Sequence, residues 1–162
     1  MPRMKWSELN RMQLGRYAEY YAKMEFTSYG ADVYTSEVDD HGVDFIARDV
    51  NTGIFYEVQV KSLCKSNYVL ISESKMEIKN NRLICFLHFI DDELPEVYVI
   101  PSTAWVETNE VTDKVLVHKK YDRPELKSKP EWGINYSKKN KPLLERYKAE
   151  AYLQKFINEN DN

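Results

Sequence analysis

Four side chains in the middle of the sequence have types and a spacing that could do chemistry. Residues 54–61 alternate apolar and polar side chains, which is typical of a β-strand with one apolar face. The polar face carries Glu57, Gln59 and Lys61: an acid, an amide and an amine. If this strand forms a hairpin with the strand before it, Asp44 lies close to Gln59 and Lys61.

Glu19 adds a third possible oxygen ligand from the N-terminal segment. Residues 7–29 repeat apolar side chains at helical spacing, and Glu19 shares a stripe of that helix with small residues that allow close approach to a sheet. Together, Glu19, Asp44 and Gln59 would suit a hard divalent cation, Mg²⁺ or Mn²⁺, because such an ion needs few carboxylates and keeps several waters. Lys61 beside it could orient a water or stabilise the charge of a phosphorane-like transition state.

The elements that would position these residues follow from periodicity and turn residues. The hairpin is indicated by a turn at 51–53 between two apolar runs. Residues 120–138 are predicted to be irregular. The predicted elements are a helix at 7–29, strands at 32–38, 43–48, 54–61 and 68–71, a helix at 72–79 capped by Ser72, strands at 82–90 and 96–100, a helical turn from 101, a weak strand at 115–118 and a last helix from about 140.

Length and composition are those of an ordinary globular protein. The chain has 162 residues, 43% hydrophobic residues and a net charge of −3, which fits one domain. The longest apolar run has eight residues, and the N-terminus has no leader-like apolar region. The chain has only two cysteines, which are not spaced as metal ligands usually are, and only three histidines. A structural zinc site is therefore not expected. We therefore expect a cytoplasmic protein with no membrane segment.

Charge is unevenly distributed along the sequence. Residues 1–118 carry 12 basic and 19 acidic side chains, whereas residues 119–148 carry 10 basic and 4 acidic ones. This basic segment is either a solvated loop and helix start or a strip that faces phosphates. On the second interpretation, nucleic acid would be bound by Lys119, Lys120, Lys138 and Lys139.

The residues identified above resemble the motifs of a known family. Glu19 on a helix, Asp44 two residues after Gly42, and Gln59-Val60-Lys61 at the end of a strand are similar to the PD-(D/E)XK nuclease superfamily. The similarity is greatest to branches with archaeal Holliday-junction resolvases and Mrr-like restriction enzymes, where Gln can replace the second acid. The motif spans about residues 14–61, and a weaker similarity extends to about 145.

The resemblance implies a fold and a site. The fold would be α/β (α+β), with a restriction-endonuclease-like core in the order αβββαβ, a mixed central sheet flanked by helices, additional C-terminal strands and a terminal helix. It would form one domain over 1–162, with a motif core at about 10–100 and a C-terminal elaboration at about 101–162. A metal would lie between Asp44 and Gln59 with the backbone carbonyl of Val60 as a further ligand, and Lys61 would be the catalytic lysine. An acid is usual at the position of Gln59, and Glu57 on the same face either compensates or is solvated.

Three functions remain open from the sequence. The first is a metal-dependent nuclease that acts on DNA; a homodimer is possible for it because small nucleases of this type often dimerise to cut two strands. The second is a nuclease-fold module that binds nucleic acid without cleaving it. The third is a protein-interaction subunit that does not contact nucleic acid.

Overall fold

The computed structural model describes residues 1–35, 37, 41–107, 109–120 and 129–157, without the side chains at 110 and 113. The helices are α1 (Arg11–Ser28), α2 (Glu110–Lys114) and α3 (Ala149–Leu153). The strands are β1 (Asp32–Thr35), β2 (Phe45–Arg48), β3 (Phe55–Leu63), β4 (Tyr68–Ser72), β5 (Arg82–His88), β6 (Glu96–Pro101), β7 (Leu116–Lys119) and β8 (Glu131–Asn135). Short 3₁₀ segments occur at Trp6–Glu8, Glu73–Lys75, Ser102–Val106, Lys141–Tyr147 and Gln154–Phe156.

Two sheets organise these strands. The central sheet has the order β1-β2-β3-β5-β6, in which only the β3–β5 pair is parallel. The second sheet is antiparallel, with the order β4-β8-β7. The predicted α/β class is therefore confirmed, as are the mixed central sheet, the additional C-terminal strands and the predicted hairpin, which is β2–β3.

The central sheet is covered on both faces. Alternate β5 residues such as Leu83 and Cys85 pack in one core with α1, whereas Ile84 and Phe86 pack in another with the second sheet. This is why residues 83–87 are all buried and read as one apolar run. The two faces of β3 consequently lie in different surroundings, and the candidate site is at its end.

Local signals explain where α1 begins and ends. Asn10 caps the helix by accepting a hydrogen bond from the Gln13 backbone N–H, and the Gln13 side chain accepts one from the Asn10 backbone N–H. Gly30, with φ of 96°, follows the last turn. Between these ends, Ala18 and Ala22 lie fully buried against the sheet, as the predicted stripe of small residues requires.

Two predicted segments are wrong. Ser72 does not cap a helix over 72–79: it pairs with Glu131 as the last residue of β4, and only the 3₁₀ turn Glu73–Lys75 follows. The crossover from β3 to β5 therefore runs through a strand of the second sheet instead of a helix. Residues 131–135, predicted to be irregular, form β8 because neighbouring strands pair with it on both sides.

Part of the predicted strand 32–38 lies outside the described residues, since residues 36 and 38 are not described; β1 itself ends at Thr35. None of the helices in the described part of the chain has the length and apolar character needed to cross a membrane.

Candidate active site

The candidate site lies where β2 and β3 separate. Their pairing ends at Phe45 and Val58, yet β3 continues to Leu63 with β5 on its other side. Just beyond the last pair, the Asp44 N–H donates to the Val58 carbonyl over 2.8 Å. The last five residues of β3 therefore have one edge that β2 does not cover.

The Asp44 carboxylate takes the place of β2 at this edge. Its Oδ2 accepts a hydrogen bond of 2.7 Å from the backbone N–H of Val60. The N–H and C=O of one strand residue point to the same edge, so the Val60 carbonyl also points to the side where β2 has left. A carboxylate and a carbonyl are thus brought together by a local separation of two strands.

Gln59 lies beside them with an unsatisfied acceptor. Its residue exposure is 5%, and its Oε1 has no hydrogen-bond partner among the described residues. A buried polar atom left unpaired costs about 1–3 kcal/mol, so a ligand for this oxygen would recover stability. Sequence reasoning identified Gln59 by its place in the strand; the unsatisfied oxygen is visible only in the structure.

Gly42 allows the turn before Asp44 to approach Gln59. Gly42 has φ of 80°, and a Cβ there would lie 2.5 Å from the Lys75 carbonyl oxygen and 3.0 Å from Gln59 Nε2. Both the backbone conformation and the close packing therefore require glycine. This contact fixes the turn against both β3 and the 3₁₀ turn that ends at Lys75.

A buried ion-pair network holds the same turn from the other side. Arg82, 1% exposed, donates through Nη2 to the His41 carbonyl over 3.1 Å, and its Nε lies 3.6 Å from Glu57 Oε2. Lys79 Nζ lies 2.7 Å from the same Glu57 oxygen. Glu57 is therefore paired with two cations, and we assign it a structural role in holding this turn.

Lys61 lines a cleft of about 590 Å³ at the end of β3. Val60 and Lys61 contribute one wall, and Arg11 and Gly15 of α1 contribute another. Lys65 also lines it, so three cations face one cleft in a protein of net charge −3. Such a concentration of positive charge attracts phosphate groups.

Arg11 and Lys65 are residues that sequence reasoning missed. Arg11 directly follows the Asn10 cap at the start of α1, where the helix dipole also favours anions. Lys65 lies two residues beyond Leu63, the last residue of β3, so the alternation of the strand does not extend to it. No strand pattern therefore predicts Lys65, and nothing in the sequence places Arg11 at the end of β3.

Glu19 lies on the helix that borders the cleft. Its carboxylate is 3.2 Å from Lys23 Nζ and 3.8 Å from Arg16 Nη1, both on α1. Glu19 follows Gly15 by four residues, so the two share one face of the helix. The structure thus joins Asp44 to Val60 by a hydrogen bond, with Gln59 as the preceding residue of β3, whereas the ion pairs of Glu19 are with Arg16 and Lys23 of its own helix.

Of the four lysines predicted to bind nucleic acid, two lie beside the cavities of this region and two do not line them. Lys119 Nζ lies over the ring of Tyr68, 4.2 Å from its centroid, and Tyr68 lines the cleft with Lys61. Lys138 lines a second pocket, and Ser66 borders both that pocket and the cleft. The remaining two, Lys120 and Lys139, are exposed.

The donor set fits a hard divalent cation. No group of three or more His, Cys, Asp or Glu side chains that could hold a metal is found in the described ranges. Mg²⁺ does not need such a group, because one or two carboxylates, neutral oxygens and retained waters suffice. The Asp44 carboxylate, the unsatisfied Gln59 oxygen and the Val60 carbonyl supply those oxygens.

Comparisons with known proteins give a distant structural likeness. No family model and no curated protein matches this chain. A solved structure of a bacterial homing endonuclease, I-Ssp6803I, is similar, with a TM-score of 0.43 and 21% identity over 62% of this chain and 72% of that chain. Membership of the PD-(D/E)XK superfamily, the single domain, the metal cofactor and the homodimer stay predictions.

Proposed function

We propose that this protein is a metal-dependent nuclease that hydrolyses phosphodiester bonds of DNA. The observation that carries the proposal is the uncovered edge of β3. There the Asp44 carboxylate accepts a hydrogen bond from the Val60 N–H, and the preceding residue, Gln59, has a buried side-chain oxygen with no partner among the described residues. This edge is at the wall of a cleft with three basic side chains.

The metal would be held by Asp44, Gln59 and the Val60 carbonyl, with Glu19 contributing from α1. When bound, Mg²⁺ or Mn²⁺ supplies Lewis acidity toward a phosphoryl oxygen and lowers the pKa of a coordinated water. A neutral amide in place of an acid leaves one negative charge fewer at the site, so weaker metal affinity is expected.

The chain's own residues would bind and orient the substrate. Arg11 and Lys65 would hold phosphates of the DNA backbone in the cleft. Lys61 would donate a hydrogen bond to the reacting phosphate, or to the water that attacks it, and so stabilise the additional negative charge of the transition state. Attack by that water forms one P–O bond while the P–O bond to the leaving sugar oxygen breaks.

A second candidate function is nucleic-acid binding without cleavage. The amide at Gln59 favours it, because the basic cleft remains suited to phosphates even if metal affinity is too low for catalysis. A binder of this kind would show affinity that falls steeply with salt, and no turnover.

Cleavage of DNA in the presence of Mg²⁺ or Mn²⁺ tests the first function. The substrates are supercoiled plasmid and short linear, gapped and branched duplexes, with EDTA as the blank. Wild type should cleave at least one of them, and Lys61→Ala should lower the rate roughly 100-fold or more. Lys65→Ala, a charge loss in the same cleft, is the matched control and should weaken binding with a much smaller effect on the rate.

Asp44→Asn removes the charge and retains an oxygen that can accept the Val60 N–H bond. It should therefore fold normally and lose metal-dependent cleavage. No cleavage by folded wild type with either metal, or equal rates for wild type and Lys61→Ala, would overturn the nuclease proposal. Salt-dependent DNA binding without turnover would then favour the binding module.

A further inference from the structure

A second pocket of about 390 Å³ adjoins the proposed active-site cleft. Ser66, in the loop between β3 and β4, borders both cavities. A polymer bound in the cleft can therefore extend into this pocket. The residues that line it include Asn67, His88, Ile90, Tyr136 and Lys138.

One side of this pocket is a fixed polar cluster around Glu96. Its carboxylate accepts hydrogen bonds from Lys141 Nζ over 2.5 Å and from the Tyr136 hydroxyl over 3.0 Å. Burial alone would raise the pKa of Glu96, but these bonds and the charges of Lys141 and Lys148 lower it to about 2. Lys141 is thus engaged by Glu96, and Lys138 is the exposed cation of the pocket rim.

The aromatic part of the pocket is formed by His88 and Tyr136. Their ring centroids are 4.7 Å apart. His88 Nδ1 is buried 3.7 Å from Glu96 Oε2, beyond hydrogen-bond distance, so the rest of the ring is what the pocket can contact. Burial lowers the pKa of His88, although Glu96 opposes this, which favours the neutral form of the ring. A neutral aromatic surface suits an uncharged planar group better than a second phosphate.

The size and chemistry of the pocket match one nucleoside unit. About 390 Å³ falls in the range of small-ligand pockets, which are mostly apolar with a few polar groups that fix orientation. Ile90 and the rings of His88 and Tyr136 supply the apolar surface, Asn67 can hydrogen-bond to a base edge, and Lys138 at the rim can contact a phosphate.

We propose that this pocket holds an unpaired nucleotide next to the phosphates bound in the cleft, so that the substrate is DNA with a single-stranded segment. A base stacked and paired inside a continuous duplex cannot enter such a pocket without being unstacked, whereas a base in a gap enters without that cost. The inference deepens the proposed function and rests on its assignment of the adjoining cleft to the DNA backbone.

Binding to two matched DNAs tests this. One is a continuous duplex and the other has the same length and sequence with a gap of a few nucleotides, each measured by fluorescence anisotropy with Ca²⁺ replacing Mg²⁺. Wild type should bind the gapped DNA about tenfold more tightly, the effect expected from contacts to one unpaired base. Lys138→Glu should abolish this preference, while Lys139→Glu, its exposed neighbour outside the pocket, should weaken binding of both DNAs by a similar factor.

Photo-crosslinking locates the base directly. A 5-iodouracil at an unpaired position of the gap should crosslink to peptides that contain His88 or Tyr136. Equal affinity of wild type for the two DNAs, a preference that Lys138→Glu leaves unchanged, or crosslinks confined to other parts of the chain would overturn the inference.

Cleavage of the same two DNAs separates this inference from the proposed function. If gapped DNA is preferred and crosslinks at the pocket but neither DNA is cleaved, the nuclease proposal fails and the nucleotide pocket stands. If both DNAs are bound and cleaved equally, the nuclease proposal stands and the pocket inference fails.

Discussion

Substitution of Gly42 by alanine perturbs the turn that brings Asp44 and Gln59 together. Gly42 has φ of 80°, and a Cβ at this position would lie 2.5 Å from the Lys75 carbonyl oxygen and 3.0 Å from Gln59 Nε2. Backbone oxygen cannot move aside as the end of a flexible side chain can. The turn, the 3₁₀ segment or Gln59 must therefore shift to accommodate one methyl group.

Gly53 offers a matched control for the backbone conformation. Its φ is 75°, close to that of Gly42, yet the nearest atom to an added Cβ is Arg48 Nη2 at 3.9 Å. Both alanine variants lose about 1–2 kcal/mol to the left-handed conformation. Both also gain the same small benefit from a less flexible unfolded chain, and this gain cancels in the comparison.

The difference between the two variants measures the packing at Gly42. Forcing an additional carbon into a well-packed site costs about 1–3 kcal/mol. We therefore expect Gly53→Ala to lower the free energy of unfolding by about 1–2 kcal/mol and Gly42→Ala to lower it by about 2–5 kcal/mol, both measured by urea denaturation. Where both variants are folded, Gly42→Ala should also lose most DNA cleavage because Gln59 is displaced, and Gly53→Ala should retain it. Equal destabilisation by the two substitutions, with equal cleavage, would refute this reasoning.

Three further substitutions or labels test other parts of the structure. The pKa of Glu96 is lowered from an ordinary 4.5 to about 2, so its ionised carboxylate stabilises the fold by roughly 3 kcal/mol above pH 4.5. This stabilisation is lost as the pH falls from 4.5 toward 2. Glu96→Gln should therefore reduce the fall in unfolding free energy between about pH 5 and pH 3. Arg82→Met should lower the unfolding free energy by roughly 3 kcal/mol, because it removes the hydrogen bond to the His41 carbonyl and one of the two cations beside Glu57. A smaller loss in a Glu57→Gln background would identify the pair, and additive losses would contradict it. Burial raises the pKa of the Cys85 thiol, so an aromatic disulfide reagent at pH 8 should label Cys85 only after unfolding. Fast labelling of Cys85 in the native protein, as distinct from the partly exposed Cys64, would contradict its place in the core.

The sequence was most informative where one strand or helix carries its own pattern. Alternation over 54–61 and the turn at 51–53 predicted the β2–β3 hairpin, with Asp44 close to Gln59 and Lys61. In the structure, Asp44 bonds to the backbone N–H of Val60, which lies between them in the strand. The stripe of small residues predicted which face of α1 packs on the sheet, because only small side chains allow the helix to come close. These are local signals with few alternatives.

Features that depend on distant partners were not predictable in the same way. β8 has little pattern of its own and forms because β4 and β7 pair with it, while Ser72 follows the sheet instead of capping a helix. Arg82 reads as the first residue of a buried strand, and its bond to the His41 carbonyl depends on a turn 41 residues away. The basic cleft likewise combines α1 with the end of β3, so Arg11 could not be assigned to it in advance.

A crystal of the protein soaked in Mn²⁺ and examined by anomalous diffraction tests the central claim most directly. We expect one ordered ion in contact with the Asp44 carboxylate, the Gln59 amide oxygen and the Val60 carbonyl, and we expect it to be absent from crystals of Asp44→Asn. An ordered ion elsewhere, with no density between Asp44 and Gln59 in crystals of the wild type, would contradict it.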